Sequence, residues 1–140
     1  MARILVVDDD RAVCAAIKIV LEVEGFEVVT AQDGRTGMAA AKASCFDAAI
    51  VDVFMPEMDG LQTIKALRGH CPDMPIIAVS GAISLFDYRD TTEPPPDYLS
   101  MATMLGAVDT VQKPYQPREL LRAVRASIGA PAERNAMAAG

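Results

Sequence analysis

Short apolar runs alternate along the chain with longer stretches in which apolar residues recur every three or four positions. The first run ends at Val7 and is followed by three consecutive acids, Asp8 to Asp10. Apolar residues then return at helical spacing: Val13, Ala16, Ile17, Val20 and Leu21. Gly25 ends this periodic stretch. The pattern predicts a buried strand, Arg3–Val7, and then a helix with an aspartate start and a glycine stop.

The same alternation continues to residue 128. Further strands are predicted at Glu27–Ala31, Ala48–Asp52, Ile76–Ser80 and Val108–Gln112. Further helices are predicted at Gly34–Ala43, Gly60–Arg68 and Pro117–Ile128. Strands that alternate with helices form parallel sheets, because right-handed crossovers place helices over both faces. We therefore expect a doubly wound α/β fold with a five-stranded parallel sheet and helices on both faces.

Two segments depart from this rhythm. Ser84–Ser100 contains three consecutive prolines and several acids, so it is predicted to be a long acidic loop before a helix near residues 100–105. Gly129–Gly140 loses the apolar periodicity after Pro131 and is predicted to be a flexible C-terminal tail. The expected organisation is one domain over residues 1–128, with an atypical loop at 84–100 and a tail at 129–140.

Composition narrows the class of protein. A chain of 140 residues that is 51% hydrophobic can bury one substantial core. Its net charge of −6, without a basic patch, argues against direct DNA binding and against an anionic membrane surface. The three cysteines, Cys14, Cys45 and Cys71, are widely spaced and lack a C-x-x-C pair. This spacing argues against disulfides and zinc, fits a reducing cytoplasmic location, and leaves Cys14 as a buried core thiol.

Polar residues that could take part in binding or catalysis follow the predicted strands at their carboxyl ends: Asp8, Asp9, Asp52, Ser80 and Lys113. Ligands of open parallel sheets bind at that edge. Three clustered carboxylates repel one another unless a cation neutralises them, and oxygen ligands suit a hard ion such as Mg²⁺. Lys113 could then supply positive charge and Ser80 a hydroxyl donor to a phosphoryl group.

Four segments carry a family resemblance. They are Val6-Val7-Asp8-Asp9-Asp10, the stretch from Asp52 to Gly60 with sequence DVFMPEMDG, Val79-Ser80-Gly81, and Val111-Gln112-Lys113-Pro114-Tyr115. In this order they resemble the signature segments of response-regulator receiver domains of bacterial two-component systems, the CheY-like superfamily. The resemblance covers residues 2–128 and implies a flavodoxin-like sheet with strand order 2-1-3-4-5.

The resemblance also implies a Mg²⁺ site. Asp9 and Asp52 are the implied direct ligands, together with the backbone carbonyl of Phe54. Asp8 is implied to act through a water molecule as the second member of the acid pair.

The implied activity is a phosphorylation switch. Asp52 would accept a phosphoryl group from a sensor histidine kinase or a phosphotransfer protein, with Ser80 and Lys113 as catalytic partners and slow autodephosphorylation afterwards. The chain is expected to stand alone, since it leaves no room for an output domain, and to act on a downstream protein through protein contacts. Homodimerisation stays open, and neither DNA nor a membrane is an expected partner.

Two departures from the family pattern affect output. Thr110 occupies the position, three residues before Lys113, where the family usually has Tyr or Phe. The long loop Ser84–Ser100 replaces a short connection. One interpretation is that the signal leaves through this loop; a passive insertion is the alternative.

The sequence also bears on three other possible functions and on a phosphodonor role. Thr110 and the insertion favour a pseudo-receiver adaptor that is not phosphorylated, whereas the intact acids oppose it. An aspartyl-phosphate phosphatase would need an acid two residues after Asp52, where Phe54 stands. A flavin phosphate would be repelled by Asp8–Asp10. His70 lies in a predicted loop and is discounted as a phosphodonor.

Each residue also has a simpler structural interpretation. Asp10 is predicted to cap the first helix, as acids in such runs usually do. Asp59 and Gly60 are assigned to a turn and a helix start that hold the loop after Asp52. Taken alone, Ser80 would be a strand-end hydroxyl and Lys113 a solvated lysine.

Overall fold

The computed structural model describes residues 2–53, 60–80, 103, 106–112 and 116–139, with the backbone alone at 80, 112 and 129–139. Its strands are β1 (Arg3–Val7), β2 (Glu27–Ala31), β3 (Ala48–Asp52), β4 (Ile76–Ser80) and β5 (Asp109–Gln112). Its helices are α1 (Arg11–Val23), α2 (Gly34–Ala43), α3 (Gly60–His70) and α4 (Pro117–Ala139). The predicted loop at 84–100 lies outside the described residues, as does most of the helix expected near 100–105.

The sheet has the order β2-β1-β3-β4-β5, and every neighbouring pair is parallel. The predicted fold class and strand order are therefore confirmed. β1 lies between β2 and β3, and the connections from β1 and β2 run over opposite faces of the sheet. The carboxyl ends of β1 and β3 thus border a topological switch point, where parallel sheets bind ligands.

The core has two layers, one on each face of the sheet. Leu5 and Val7 pack with α2 and α3, whereas Ile4 and Val6 pack with α1 and α4. All four side chains are fully buried at 0% exposure, because successive residues of a strand point to opposite faces and both faces are covered. This double burial explains why β1 is a continuous apolar run.

Both ends of α1 follow the sequence prediction. The Asp10 carboxylate accepts hydrogen bonds from the backbone N–H groups of Ala12 at 2.9 Å and Val13 at 3.3 Å. Gly25, at φ +93°, donates its N–H to the carbonyl of Glu22, and the following residue bonds to the carbonyl of Leu21. These two bonds form a Schellman motif, whose left-handed residue favours glycine.

Two helices end later than predicted. α3 continues to His70 instead of ending at Arg68, and α4 continues to Ala139 instead of ending at Ile128. Five alanines between residues 130 and 139 offer high helix propensity, which keeps the backbone helical beyond Pro131. The flexibility proposed for residues 129–140 stays a prediction. Among the described residues, no helix combines the length and apolarity needed to cross a membrane.

Arg68 holds together the edge of the sheet at which the strands begin. Its guanidinium donates to the backbone carbonyls of Pro72 and Met74, each at 2.7 Å, and of Gly106 at 2.6 Å. Gly106 has a φ of +122°, and a Cβ there would lie 2.8 Å from Nε of Arg68. The side chain therefore ties the end of α3 to the turns before β4 and β5.

Candidate metal centre

Three carboxylates meet at the edge of the sheet where the strands end. Asp8 directly follows β1, and Asp52 is the last residue of the neighbouring strand β3. One carboxylate oxygen from each of Asp8, Asp9 and Asp52 lies within 4.8 Å of the other two. Among the described residues, this is the one group of three or more acidic, histidine or cysteine side chains that is compact enough to hold an ion. The structure thus brings together the three acids selected from the sequence.

The three acids differ in their access to solvent. Asp8 is 3% exposed and Asp52 is 5% exposed, whereas Asp9 is open to solvent. Buried carboxylates are costly to keep charged unless hydrogen bonds or a cation compensate. The Asp8 carboxylate accepts a hydrogen bond from the backbone N–H of Asp10 at 2.9 Å. The site therefore combines a buried negative charge with an open side through which an ion can enter.

Asp8 is also held through its backbone. Its N–H donates to the carbonyl of Ala31 at 3.0 Å, and its carbonyl lies 3.3 Å from Sγ of Cys14. Burial, and after it the negative charge of Asp8, raise the pKa of the Cys14 thiol. The thiol is therefore protonated at neutral pH and can donate to the carbonyl. The sequence identified Cys14 as a core thiol, and nothing in its spacing indicated this contact with Asp8.

Asp52 is held by the start of α3. Gly60 is buried there, and a Cβ at this position would overlap the carbonyl oxygen of Asp52 and lie 2.6 Å from its carbonyl carbon. On the other side, the N–H of Val53 donates to the carbonyl of Val79 in β4 at 2.9 Å. The predicted helix start at Gly60 is confirmed, and its glycine permits α3 to approach β3 closely.

The remaining predicted site residues are described in part. Ser80 ends β4, one residue beyond Val79, which pairs with Asp52; its side chain is outside the described residues. Phe54, Asp59 and Lys113 also lie outside them. Their roles stay predictions.

Two residues outside the acid cluster, His70 and Thr110, concern the other possible functions. His70 is exposed at the end of α3, and Thr110 is half-buried in β5. Helix α3 runs away from the edge of the sheet where the strands end, so His70 is remote from the three acids.

The geometry fits a hard divalent ion. Two oxygen ligands of one Mg²⁺ ion lie about 2.9 to 4.2 Å apart, because each is about 2.1 Å from the metal in octahedral geometry. Of three ligands in an octahedron at most one pair is trans, so the oxygens of the three acids, within 4.8 Å of one another, need to approach by at most about 1.8 Å to bind one ion. An acid that remains farther away can bind through water. The donor set contains only oxygen, which suits Mg²⁺.

Comparison with known proteins identifies the family of this chain. The family model described as response regulator receiver domain matches residues 4–125. The response regulator MprA of Mycolicibacterium vanbaalenii is 37% identical over 124 residues, which cover 89% of this chain and 49% of MprA. The transcriptional regulatory protein CpxR of Escherichia coli K12 is 36% identical, over 90% of this chain and 49% of CpxR. The chain thus spans about half the length of these curated relatives.

Solved structures show the same fold. The chemotaxis protein CheY4 of Vibrio cholerae is 32% identical, with a TM-score of 0.76, and the match covers 91% of this chain and 98% of CheY4. A receiver domain protein (CheY-like) from Methanospirillum hungatei is 29% identical, with a TM-score of 0.82 over 96% of this chain and 98% of that one. With its sheet order, its cluster of acids and these relatives, the chain belongs to the response-regulator receiver domains of two-component systems.

Proposed function

We propose that this chain is a Mg²⁺-dependent phosphorylation switch in which Asp52 accepts the phosphoryl group. The donor would be the phosphohistidine of a sensor histidine kinase or of a phosphotransfer protein, and the phosphorylated chain would act on another protein by contact. The observation that carries the proposal is the approach of three carboxylates, Asp8, Asp9 and Asp52, within 4.8 Å at the switch point of the sheet. Phosphorylation and Mg²⁺ binding are typical of the family.

The transfer follows from the chemistry of these side chains. A carboxylate oxygen of Asp52 attacks the phosphorus atom as the bond between phosphorus and the imidazole nitrogen breaks, and the electron pair of that bond stays on the departing imidazole. When bound, Mg²⁺ supplies positive charge that offsets the three carboxylates and the phosphoryl oxygens. Asp9 and Asp52 would hold the ion directly, with the carbonyl of Phe54, and Asp8 through water.

Ser80 and Lys113 would complete the site. The Ser80 hydroxyl would donate a hydrogen bond to one phosphoryl oxygen, and the Lys113 ammonium would offset the charge of another. Slow loss of the group needs only a water molecule, which attacks phosphorus and restores the Asp52 carboxylate with release of inorganic phosphate.

The test is labelling with acetyl phosphate, a small donor that needs no partner protein. The wild-type chain should gain one phosphoryl group by intact-mass spectrometry when Mg²⁺ is present and none in excess chelator. Asp52→Asn should abolish the gain. Asp73→Asn is the matched control, because Asp73 is an exposed acid at the opposite edge of the sheet, and it should label normally. Equal labelling of Asp52→Asn and the wild type would show that the acceptor is wrong.

A pseudo-receiver is the second candidate, because half-buried Thr110 stands where the family usually has an aromatic ring. Mg²⁺ binding separates it from the switch. An ion present at a hundredfold excess over its dissociation constant should stabilise the native chain by about 2.7 kcal/mol. Asp9→Asn should remove most of this gain. If the melting temperature of the wild-type chain were the same with and without Mg²⁺, and acetyl phosphate gave no labelling, the pseudo-receiver adaptor would be favoured.

A further inference from the structure

Cys14 lies behind the acids of the metal centre, and the reaction proposed above gives it no role. Its side chain is 2% exposed, on the inner side of the first turn of α1. Sγ is 3.3 Å from the backbone carbonyl oxygen of Asp8 and 3.9 Å from that of Ala31. A thiol is a weak donor but meets an acceptor here within the ordinary range for sulfur.

Hydrogen bonds close the segment from Asp8 to Cys14 into a ring. The N–H of Asp10 donates to the Asp8 carboxylate at 2.9 Å, and the N–H of Cys14 donates to the carbonyl of Asp10 at 3.0 Å. The thiol then returns to the carbonyl of Asp8. Asp8 itself is anchored to β2 through Ala31, whose carbonyl accepts the Asp8 N–H at 3.0 Å. The thiol therefore links the strand end to the helix start across the acid pair.

The backbone carbonyl that accepts the hydrogen bond from the Cys14 thiol lies between the two acids Asp8 and Asp9. The Asp8 carbonyl belongs to the peptide unit that joins Asp8 to Asp9, and this unit is planar. Its orientation therefore sets the backbone torsions on either side, and with them the directions in which both carboxylates leave the chain. A rotation of this unit would move the Asp9 carboxylate, which is exposed and not fixed by burial.

We propose that Cys14 is a positioning residue of the metal centre, whose thiol holds the Asp8–Asp9 peptide in the orientation that brings both carboxylates towards Asp52. This inference rests on the proposed function, because it assigns Cys14 to the binding of the same Mg²⁺ ion. The thiol touches neither the ion nor the phosphoryl group. Its effect passes through the backbone.

Three variants separate hydrogen bonding from packing. Cys14→Val fills the same space without a donor, Cys14→Ala removes both volume and donor, and Cys14→Ser keeps a donor. Cys45→Ala is the matched control, because Cys45 is an exposed thiol at the other edge of the sheet. Each protein is titrated with Mg²⁺ under reducing conditions by calorimetry, and its melting temperature is measured without the ion.

The expected result is a dissociation constant for Mg²⁺ about threefold higher in Cys14→Val and Cys14→Ala, the low end of what one hydrogen bond contributes. Cys14→Ser and Cys45→Ala should bind like the wild type. A purely structural thiol would instead lower the melting temperature and leave the dissociation constant unchanged.

The outcomes also separate the two proposals. Wild-type affinity in both Cys14→Val and Cys14→Ala, or a Cys14→Ser variant as weak as Cys14→Val, would overturn the positioning role and leave the proposed function intact. A wild-type chain that binds no Mg²⁺ would overturn both.

Discussion

The substitution Gly60→Ala tests the close packing of α3 against the phosphoacceptor strand. The added Cβ would lie 2.6 Å from the carbonyl carbon of Asp52, whereas carbon atoms in contact are normally at least about 3.5 Å apart. The overlaps with the carbonyl oxygen of Asp52 and with Cα of Val53 are closer still, so the start of α3 or the end of β3 must move by more than about 1 Å. Overpacking of this kind costs about 1 to 3 kcal/mol. Gly60 is the first residue of α3, so alanine gains little of the helix propensity that favours it in a helix interior. We expect a net loss of about 1 to 3 kcal/mol in the free energy of unfolding.

Gly69→Ala is the matched control in the same helix. Apart from the neighbouring backbone of α3 itself, no atom lies within 4 Å of a Cβ built at Gly69, so alanine should be neutral or stabilise by up to about 1 kcal/mol. Urea unfolding followed by far-UV circular dichroism gives both free energies. Because the overlapping atoms include the backbone of Asp52, we expect Gly60→Ala also to bind Mg²⁺ more weakly, whereas Gly69→Ala should not.

One result would refute this reasoning. If Gly60→Ala unfolds at the wild-type urea midpoint and binds Mg²⁺ with wild-type affinity, the approach of α3 to Asp52 is not as close as described. A loss of stability with unchanged Mg²⁺ affinity would mean that α3 moves and Asp52 stays in place.

Two further predictions concern structure away from the acids. Arg68→Met should lower the free energy of urea unfolding by about 2 to 3 kcal/mol, because a half-exposed charged donor to several backbone carbonyls is lost. Lys65→Met, on the exposed side of α3, is the control and should be near neutral. Equal stability of the two variants would contradict the role of Arg68 in tying α3 to the turns before β4 and β5. Asp33 caps α2, and the hydrogen bond from the Thr36 N–H at 2.7 Å lowers its pKa below the usual 3.8. Its charge-dependent contribution is therefore complete above about pH 4 and lost as the pH falls through the lowered pKa. Acid titration of Asp33→Asn, which keeps a capping oxygen, should show the smaller loss of stability below pH 4, and parallel curves would contradict this assignment.

The sequence determined most of the secondary structure and the location of the site. Strands such as β1 are buried on both faces, so their continuous apolar character is visible without coordinates. The aspartate cap and glycine stop of α1 are local signals that involve only neighbouring residues. Parallel strands end at one edge, which is why Asp8 and Asp52 could be paired before their distance was known.

The tertiary structure decided the contacts between residues far apart in the chain. The need for glycine at position 60 arises from the backbone of Asp52, and the role of Arg68 arises from a carbonyl at Gly106. The extension of α4 past Ile128 is instead a local effect, because the alanines between residues 130 and 139 favour helix more strongly than Gly129 and Pro131 oppose it. Cys14 is the clearest case. Its position among apolar residues at helical spacing predicted burial. Only the packing of α1 against the ends of β1 and β2 brings its thiol within hydrogen-bonding distance of the Asp8 carbonyl. A hydrogen bond depends on direction as well as distance, and residue spacing contains neither.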